Sequence, residues 1–250
     1  MIEVIFILLL ASFIMEMIDS GLGMMYGTLL TPILILAGYN PIYVVPSILL
    51  SQSLGGFIAT VRHHKLDNAN FSKNTMDSKI ASVMIALGGI AVIIGAYIGS
   101  IIPTFYLKVY IATLCVIMGS IIIAKAKFVF SWLKISVISI LSAFNKALSG
   151  GGFGPIVASG QIASGIESKK AIGITDFAEA PICLMSFIAW LVFNGYGIPN
   201  ELIIPLCIGA GAGGFVGPYL LSKFKSKRLL TIIVGTLAVV SGLYMMYKLF

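Results

Sequence analysis

"KIASVMIALGGIAVIIGAYIGSII", Lys79–Ile102, opens on its one charged residue and then runs on through apolar and small residues. A strand of an outer-membrane barrel would alternate apolar and polar positions over about 10 residues, and no such alternation is present. At 1.5 Å per residue, about 20 apolar residues span the roughly 30 Å hydrocarbon core of a bilayer as a helix. The stretch therefore reads as a transmembrane helix.

The rest of the chain repeats the pattern. Of its 250 residues 59% are hydrophobic and only 10% are charged, where soluble domains carry about a quarter charged residues. Apolar segments run over residues 2–18, 22–37, 41–61, 80–102, 105–124, 133–148, 153–166, 171–193, 202–221 and 229–249. The fold class is thus an all-α polytopic membrane protein with 8 to 10 membrane segments. The range reflects two short segments, 22–37 and 153–166, rich in Gly, Pro or Ser, which reach only about 20 to 24 Å as helices.

The net charge of +7 belongs to short loops. Arg62, Lys65, Lys73 and Lys79 lie in one; Lys125, Lys127 and Lys134 in a second; Lys169 and Lys170 in a third; Lys223, Lys225, Lys227 and Arg228 in a fourth. If the segments alternate in direction, all four loops share one side and collect 13 of the 16 Lys and Arg residues. The positive-inside rule makes that side cytoplasmic, with both termini outside, in the plasma (inner) membrane of a prokaryote. Charge in loops of this kind calls for no nucleic-acid partner. The start, "MIEVIFILLLASF", lacks a basic n-region and a cleavage site, so no signal peptide is expected. Cys115, Cys183 and Cys207 each sit in an apolar run without CxxC spacing and read as small core residues.

Two glycine-rich breaks organise the chain. "SGLGMMYG", Ser20–Gly27, aligns with "SGGGFGPI", Ser149–Ile156, through a shared Ser and two Gly. Each follows an apolar helix and precedes a short segment and then a helix of ordinary length. Five segments in each half give opposite orientations, so residues 1–124 and 125–250 are expected to form two inverted membrane repeats. Each would hold about four spanning helices plus the short Gly-rich helix of a hairpin. Transporters place substrate where such interrupted helices approach each other near the midplane. Glycine also lets membrane helices pack closely, the plainer reading for Gly95 and Gly99 and for Gly209, Gly213 and Gly217.

The two breaks, "SGLGMMYGTLLTPILILAG" and "LSGGGFGPIVASGQIASG" followed by "KKAIGITDFAEAP", resemble the TauE/SafE family of sulfite-exporter-like permeases over nearly the whole chain. The resemblance implies secondary transport of small anions, typically sulfite, sulfoacetate or related organosulfonates. In the first break Met24, Met25 and Tyr26 make the motif bulkier than is usual in the family.

Ionisable residues within a bilayer cost about 2.5 to 3.5 kcal/mol on insertion scales and tend to face protein or water. Asp176 and Glu179, three residues apart in "ITDFAEAP", share a helix face, with Glu179 near mid-depth. Desolvation disfavours a charged carboxylate there, so the two are candidates for proton coupling, or for neutral hydrogen bonding between helices. Lys146, before the second break, is the candidate for meeting an anion, together with Ser149 and the amides of Gly150, Gly151 and Gly152 at a helix N-terminus. Snorkelling to the outer interface is its alternative. Ser20, Gly21 and Gly23 at the first break complete the candidate substrate set with Gln52 and Thr175; Ser51 and Gln161 are further uncharged polar residues at plausible depth. Glu16, aligned with Asn145, and Asp19 read as carboxylates either of a site or of the interface.

Other chemistry lacks its signature. "RHHK", Arg62–Lys65, reads as a solvated loop, since adjacent histidines cannot close a metal shell alone. No GxxxxGK[ST], HExxH or GxSxG occurs, so no nucleotide loop, metal site, cofactor or enzymatic activity is expected. The expected partners are a small anionic substrate, the lipid bilayer and protons. A cation or metal carrier using the intramembrane carboxylates, and a non-transporting membrane assembly protein, are the alternatives.

Overall fold

A computed structural model describes residues 2–124, 131–163, 166–223 and 228–250, and among them it shows ten helices and no strand. They are α1 (Ile2–Leu22), α2 (Tyr26–Leu36), α3 (Pro41–Lys65), α4 (Met76–Ile101), α5 (Thr104–Ala124), α6 (Trp132–Ser149), α7 (Phe153–Ala163), α8 (Ser168–Asn194), α9 (Asn200–Lys223) and α10 (Arg228–Leu249). Among the described residues six, α3, α4, α5, α8, α9 and α10, are long and apolar enough to cross a membrane. Lys125, Lys127, Lys225 and Lys227, and the expected repeat boundary after residue 124, fall at or within stretches outside the described residues.

Local chemistry sets the helix ends. Asn40 caps α3 by accepting from the Ile42 amide at 3.1 Å, with Pro41 in the first turn. Thr75 caps α4 in the same way. The first break falls later than the sequence reading placed it. Ser20 and Gly21 continue α1, because Gly21 packs on α9 near the Gly217 carbonyl, and the chain turns only at Gly23, whose φ of +75° needs no Cβ. In the second break Gly150 (φ +76°) ends α6, its amide donating to the Lys146 carbonyl at 2.8 Å, and Gly152 (φ +85°) leads into α7. The aligned glycines Gly23 and Gly152 thus share a positive φ. α2 and α7 have 11 residues each, about 16 Å and half the hydrocarbon core.

Six helices form a row in the packing order α1, α9, α3, α8, α4, α6. α5 and α10 pack on each other beside the row, and α2 and α7 lie between. Glycines make the close crossings. A Cβ on Gly213 would stand 2.6 Å from the Phe13 carbonyl oxygen of α1, and one on Gly95 2.6 Å from the Phe144 carbonyl oxygen of α6. Gly119 and Gly235 do the same between α5 and α10. The outward faces are apolar: Ile90, Leu133 and Val192 are each more than 70% exposed, as lipid-facing residues are. Asp19, Gln52, Lys146, Asp176 and Glu179 lie inside.

Candidate functional site

The two breaks meet. A Cβ on Gly151 would lie 3.0 Å from the carbonyl group of Gly27 and from the amide of Thr28, and Gly154 approaches the backbone of Gly23 and Met24. Backbone against backbone at this range leaves no room for side chains, which is what the glycines supply. The Gly152 amide also donates to Thr28 Oγ1 at 3.3 Å, and Ser149 Oγ accepts from the Gly151 amide at 3.2 Å.

Beside this contact lies a buried polar cluster drawn from α1, α2, α3, α6 and α8. Gln52, in the middle of α3, is its hub. Its amide nitrogen donates to Asp19 Oδ2 at 2.9 Å and to Glu179 Oε1 at 3.1 Å, while its carbonyl oxygen accepts from Lys146. Lys146 Nζ forms a 2.8 Å ion pair with Glu179 Oε1, with both side chains at most 5% exposed. Two of the three ammonium donors are thereby used. Gly27 makes the space, since a Cβ there would be 3.0 Å from Lys146 Nζ. Asp19 Oδ1 accepts from the Tyr26 amide at 3.0 Å, fixing the start of α2 on the end of α1. The Tyr26 hydroxyl lies 2.8 Å from Ser12 Oγ and donates to Ser51 Oγ at 2.7 Å.

Several expectations are corrected here. Lys146 does not snorkel: it is 1% exposed and held by Glu179 and Gln52. Glu16 and Asp19 are buried among helices and not interfacial. Asp176 and Glu179 take separate partners, Asp176 Oδ2 lying 3.1 Å from His63 Nε2 and Glu179 facing Lys146. "RHHK" is not a solvated loop. His63 is fully buried in the last turn of α3, while His64 is exposed; the helix runs through the motif, so neighbouring histidines point to different surroundings. Thr175 bonds to Gln161 Nε2 at 3.1 Å, joining α7 to α8, and Gly21 packs on α9; neither takes part in the cluster's hydrogen bonds. Ser20 reaches it through its carbonyl oxygen, 3.0 Å from His63 Nε2.

Four acids, Glu16, Asp19, Asp176 and Glu179, stand with Lys146 and His63 in this interior. Unpaired charge in low dielectric is costly, so the excess of acids calls for bound protons or cations. Glu16 Oε2 is buried without a hydrogen-bond partner. Among the described residues no group of three or more His, Cys, Asp and Glu side chains is placed to hold a metal ion.

A multi-helix membrane protein with apolar outer faces, two touching helix breaks and an occluded ionisable cluster has the construction of a membrane transporter. The chain belongs to the sulfite exporter TauE/SafE family, whose model matches residues 8–245. It is also similar to the probable membrane transporter protein YtnM of Bacillus subtilis (strain 168), at 24% identity over 233 residues, covering 88% of this chain and 75% of that one. No solved structure matches. The chain is accordingly a multi-pass membrane transporter and not an enzyme.

Proposed function

We propose that the protein is a proton-coupled secondary transporter of a small anion, a sulfur oxyanion or organosulfonate, working by alternating access. The observation that carries this reading is the buried Lys146–Glu179 pair beside the meeting breaks. A proton on Glu179 removes the charge that holds Lys146, and an anion then takes its place on the ammonium. Anion and proton together are neutral, so the loaded interior crosses without uncompensated charge. Residues 1–124 and 125–250 act as inverted repeats in this scheme. It is supported by the packing: α1 on α9 is answered by α6 on α4, α3 on α9 by α8 on α4, and α2 on α3 by α7 on α8. α2 and α7 are re-entrant arms between eight spans, the basic loops are cytoplasmic and both termini are outside.

The test is uptake of labelled sulfite and of an alkanesulfonate into proteoliposomes under imposed pH gradients. Wild type accumulates an anion with the gradient, Lys146→Ala abolishes all flux, and Glu179→Gln keeps exchange at equal pH but loses accumulation. Flux of a cation that survives Lys146→Ala, with no anion carried, overturns the reading. The acid excess and the unpartnered Glu16 Oε2 favour that cation carrier as the second reading.

A further inference from the structure

His63 is held by one backbone carbonyl, one carboxylate and one side-chain amide in a way that fixes where its proton lies. Asn68 Nδ2 stands 3.1 Å from His63 Nδ1 and 3.3 Å from the Pro218 carbonyl oxygen of α9. A carbonyl only accepts, so the Asn68 atom facing Pro218 is the amide nitrogen, and the same nitrogen meets Nδ1 as a donor. Nδ1 therefore carries no proton. On the other side Nε2 lies 3.0 Å from the Ser20 carbonyl oxygen, which again only accepts, and 3.1 Å from Asp176 Oδ2. Nε2 carries the hydrogen. The ring is the neutral Nε2–H tautomer, with the one nitrogen able to take a further proton covered by Asn68.

The local backbone explains how Asn68 comes to be there. Asp67 takes φ +53°, the Asn68 amide donates to the His63 carbonyl at 3.0 Å, and the Asp67 amide donates to the His64 carbonyl at 3.3 Å. This is the Schellman ending of a helix, which sets the residue after the left-handed position over the residue three before the cap. That contact is usually apolar. Here it is a side-chain hydrogen bond, made in a turn whose residues Asp67 and Asn70 are exposed while Asn68 is buried. The turn also holds a non-glycine residue in the left-handed region, a conformation that costs energy and that opening would relieve.

We propose that His63 and Asp176 form a proton-loading site on the basic-loop side of the cluster, latched by Asn68; this rests on the proton-coupled reading above. When the turn opens, Asn68 leaves Nδ1 and a proton from water binds its lone pair. The ring becomes imidazolium, keeps Nε2–H toward Asp176, and its charge is matched by that carboxylate. Closing the turn again expels the proton from Nδ1 to water. No other bond forms or breaks. Asp176 of α8 meets the site as a carboxylate, the α3–α4 turn presents neutral Asn68 and Ala69, and α9 the Pro218 carbonyl; Glu16, Asp19 and Glu179 are further buried acids of the same interior. Arg62, His64 and Lys65 adjoin His63 on α3 itself.

The chain has two histidines, so ring nitrogen-15 spectra of the full protein in lipid nanodiscs resolve both, and His64→Gln assigns them. In the wild type His63 is expected as the Nε2–H tautomer and to stay neutral as the pH is lowered through about 6.5, where an unperturbed imidazole gains its proton. Asn68→Ala should let His63 protonate over that range, and adding Asp176→Asn should reverse that. An Nδ1–H tautomer, protonation of wild-type His63 over that range, or an Asn68→Ala spectrum unchanged from wild type overturns the proposal. In proteoliposomes, His63→Gln should lower pH-driven accumulation about tenfold or more while exchange at equal pH persists, which shows that the protein is folded. Wild-type accumulation by His63→Gln sinks the loading site and leaves proton coupling standing. Absence of any pH-driven flux in the wild type removes the coupling reading, and the tautomer result stands apart from it.

Discussion

Lys146 and Glu179 show what a single buried pair does in this protein. Their 2.8 Å contact lies where neither side chain reaches solvent, so removing one partner strands the other charge. Such a loss typically costs about 3 to 5 kcal/mol, whereas replacing both partners together is far milder. Lys146→Met alone should therefore lower the thermal unfolding temperature of the purified protein sharply, and Lys146→Met with Glu179→Gln should recover most of it. Equal loss in the single and double variants would show that the pair contributes no coupling. The place of Glu179 near the middle of its helix was legible in the sequence, because counting from Lys170 at 1.5 Å per residue sets it there, and α8 runs over Ser168–Asn194. Its partner was not. Nothing local to "NKALS" tells whether a lysine runs outward to the interface or inward to an acid on another helix; α6 ends the row against α4 with α8 nearby, and only that packing decides. His63 was missed for a related reason, since "RHHK" has loop composition and yet sits one turn inside α3, where Asn68, Ser20 and Asp176 close around one of its two rings.

Elements were easier to find than their ends. Apolar run length located all ten helices, because a bilayer rewards a continuous run more strongly than any local propensity does. The first break was displaced by a few residues, since Gly21 is held helical by α9 and the chain turns only at Gly23, while the second falls at Gly150–Gly152 as expected. The glycine rows were correctly weighed as packing surfaces, though the sequence did not say which helix each would meet. Their chemistry supplies a prediction. At Gly213 a methyl group would sit 2.6 Å from the Phe13 carbonyl oxygen and 2.8 Å from Glu16 Cβ, so α1 and α9 must separate to admit it. At Gly160 on α7 the nearest atom to such a methyl among the described residues is Ile138 Cδ1 at 3.6 Å, an ordinary contact. Gly213→Ala should destabilise by about 1 to 3 kcal/mol. Gly160→Ala should be neutral or stabilise by up to about 1 kcal/mol through helix propensity. Unfolding midpoints of the two variants in one detergent give the comparison, and similar midpoints would mean that the α1–α9 crossing is loose.

At the scale of the molecule the halves of the sequence are not the bodies of the structure. Every extensive helix contact, α1 with α9, α3 with α9, α3 with α8, α4 with α8, α4 with α6 and α5 with α10, joins one half to the other. The six-helix row is sealed at its centre by small residues, with Gly56 of α3 against Ala180 of α8 and Gly214 of α9 against the Gly55 backbone. Close-packed seams of this kind do not deform smoothly. By contrast the α5–α10 pair reaches the row mainly through α2 and α7 and through single bonds such as Tyr110 to Asn145. If the protein works by alternating access as proposed, the α5–α10 pair, with the short arms, should move against the row. A cysteine-free background, with Cys115, Cys183 and Cys207 replaced, allows both seams to be tied. The Cβ positions at Gly56 and Ala180 are 3.1 Å apart, a few tenths of an ångström inside the about 3.5 to 4.5 Å of a disulfide, so Gly56→Cys with Ala180→Cys should oxidise with a slight parting of α3 and α8 and leave exchange of the proposed anion intact. Tyr110→Cys with Asn145→Cys, bridged by a short bismaleimide, should arrest exchange. If the disulfide in the row stops transport and the α5–α6 bridge does not, the halves rock across α3 and α8 and the row is not a single body.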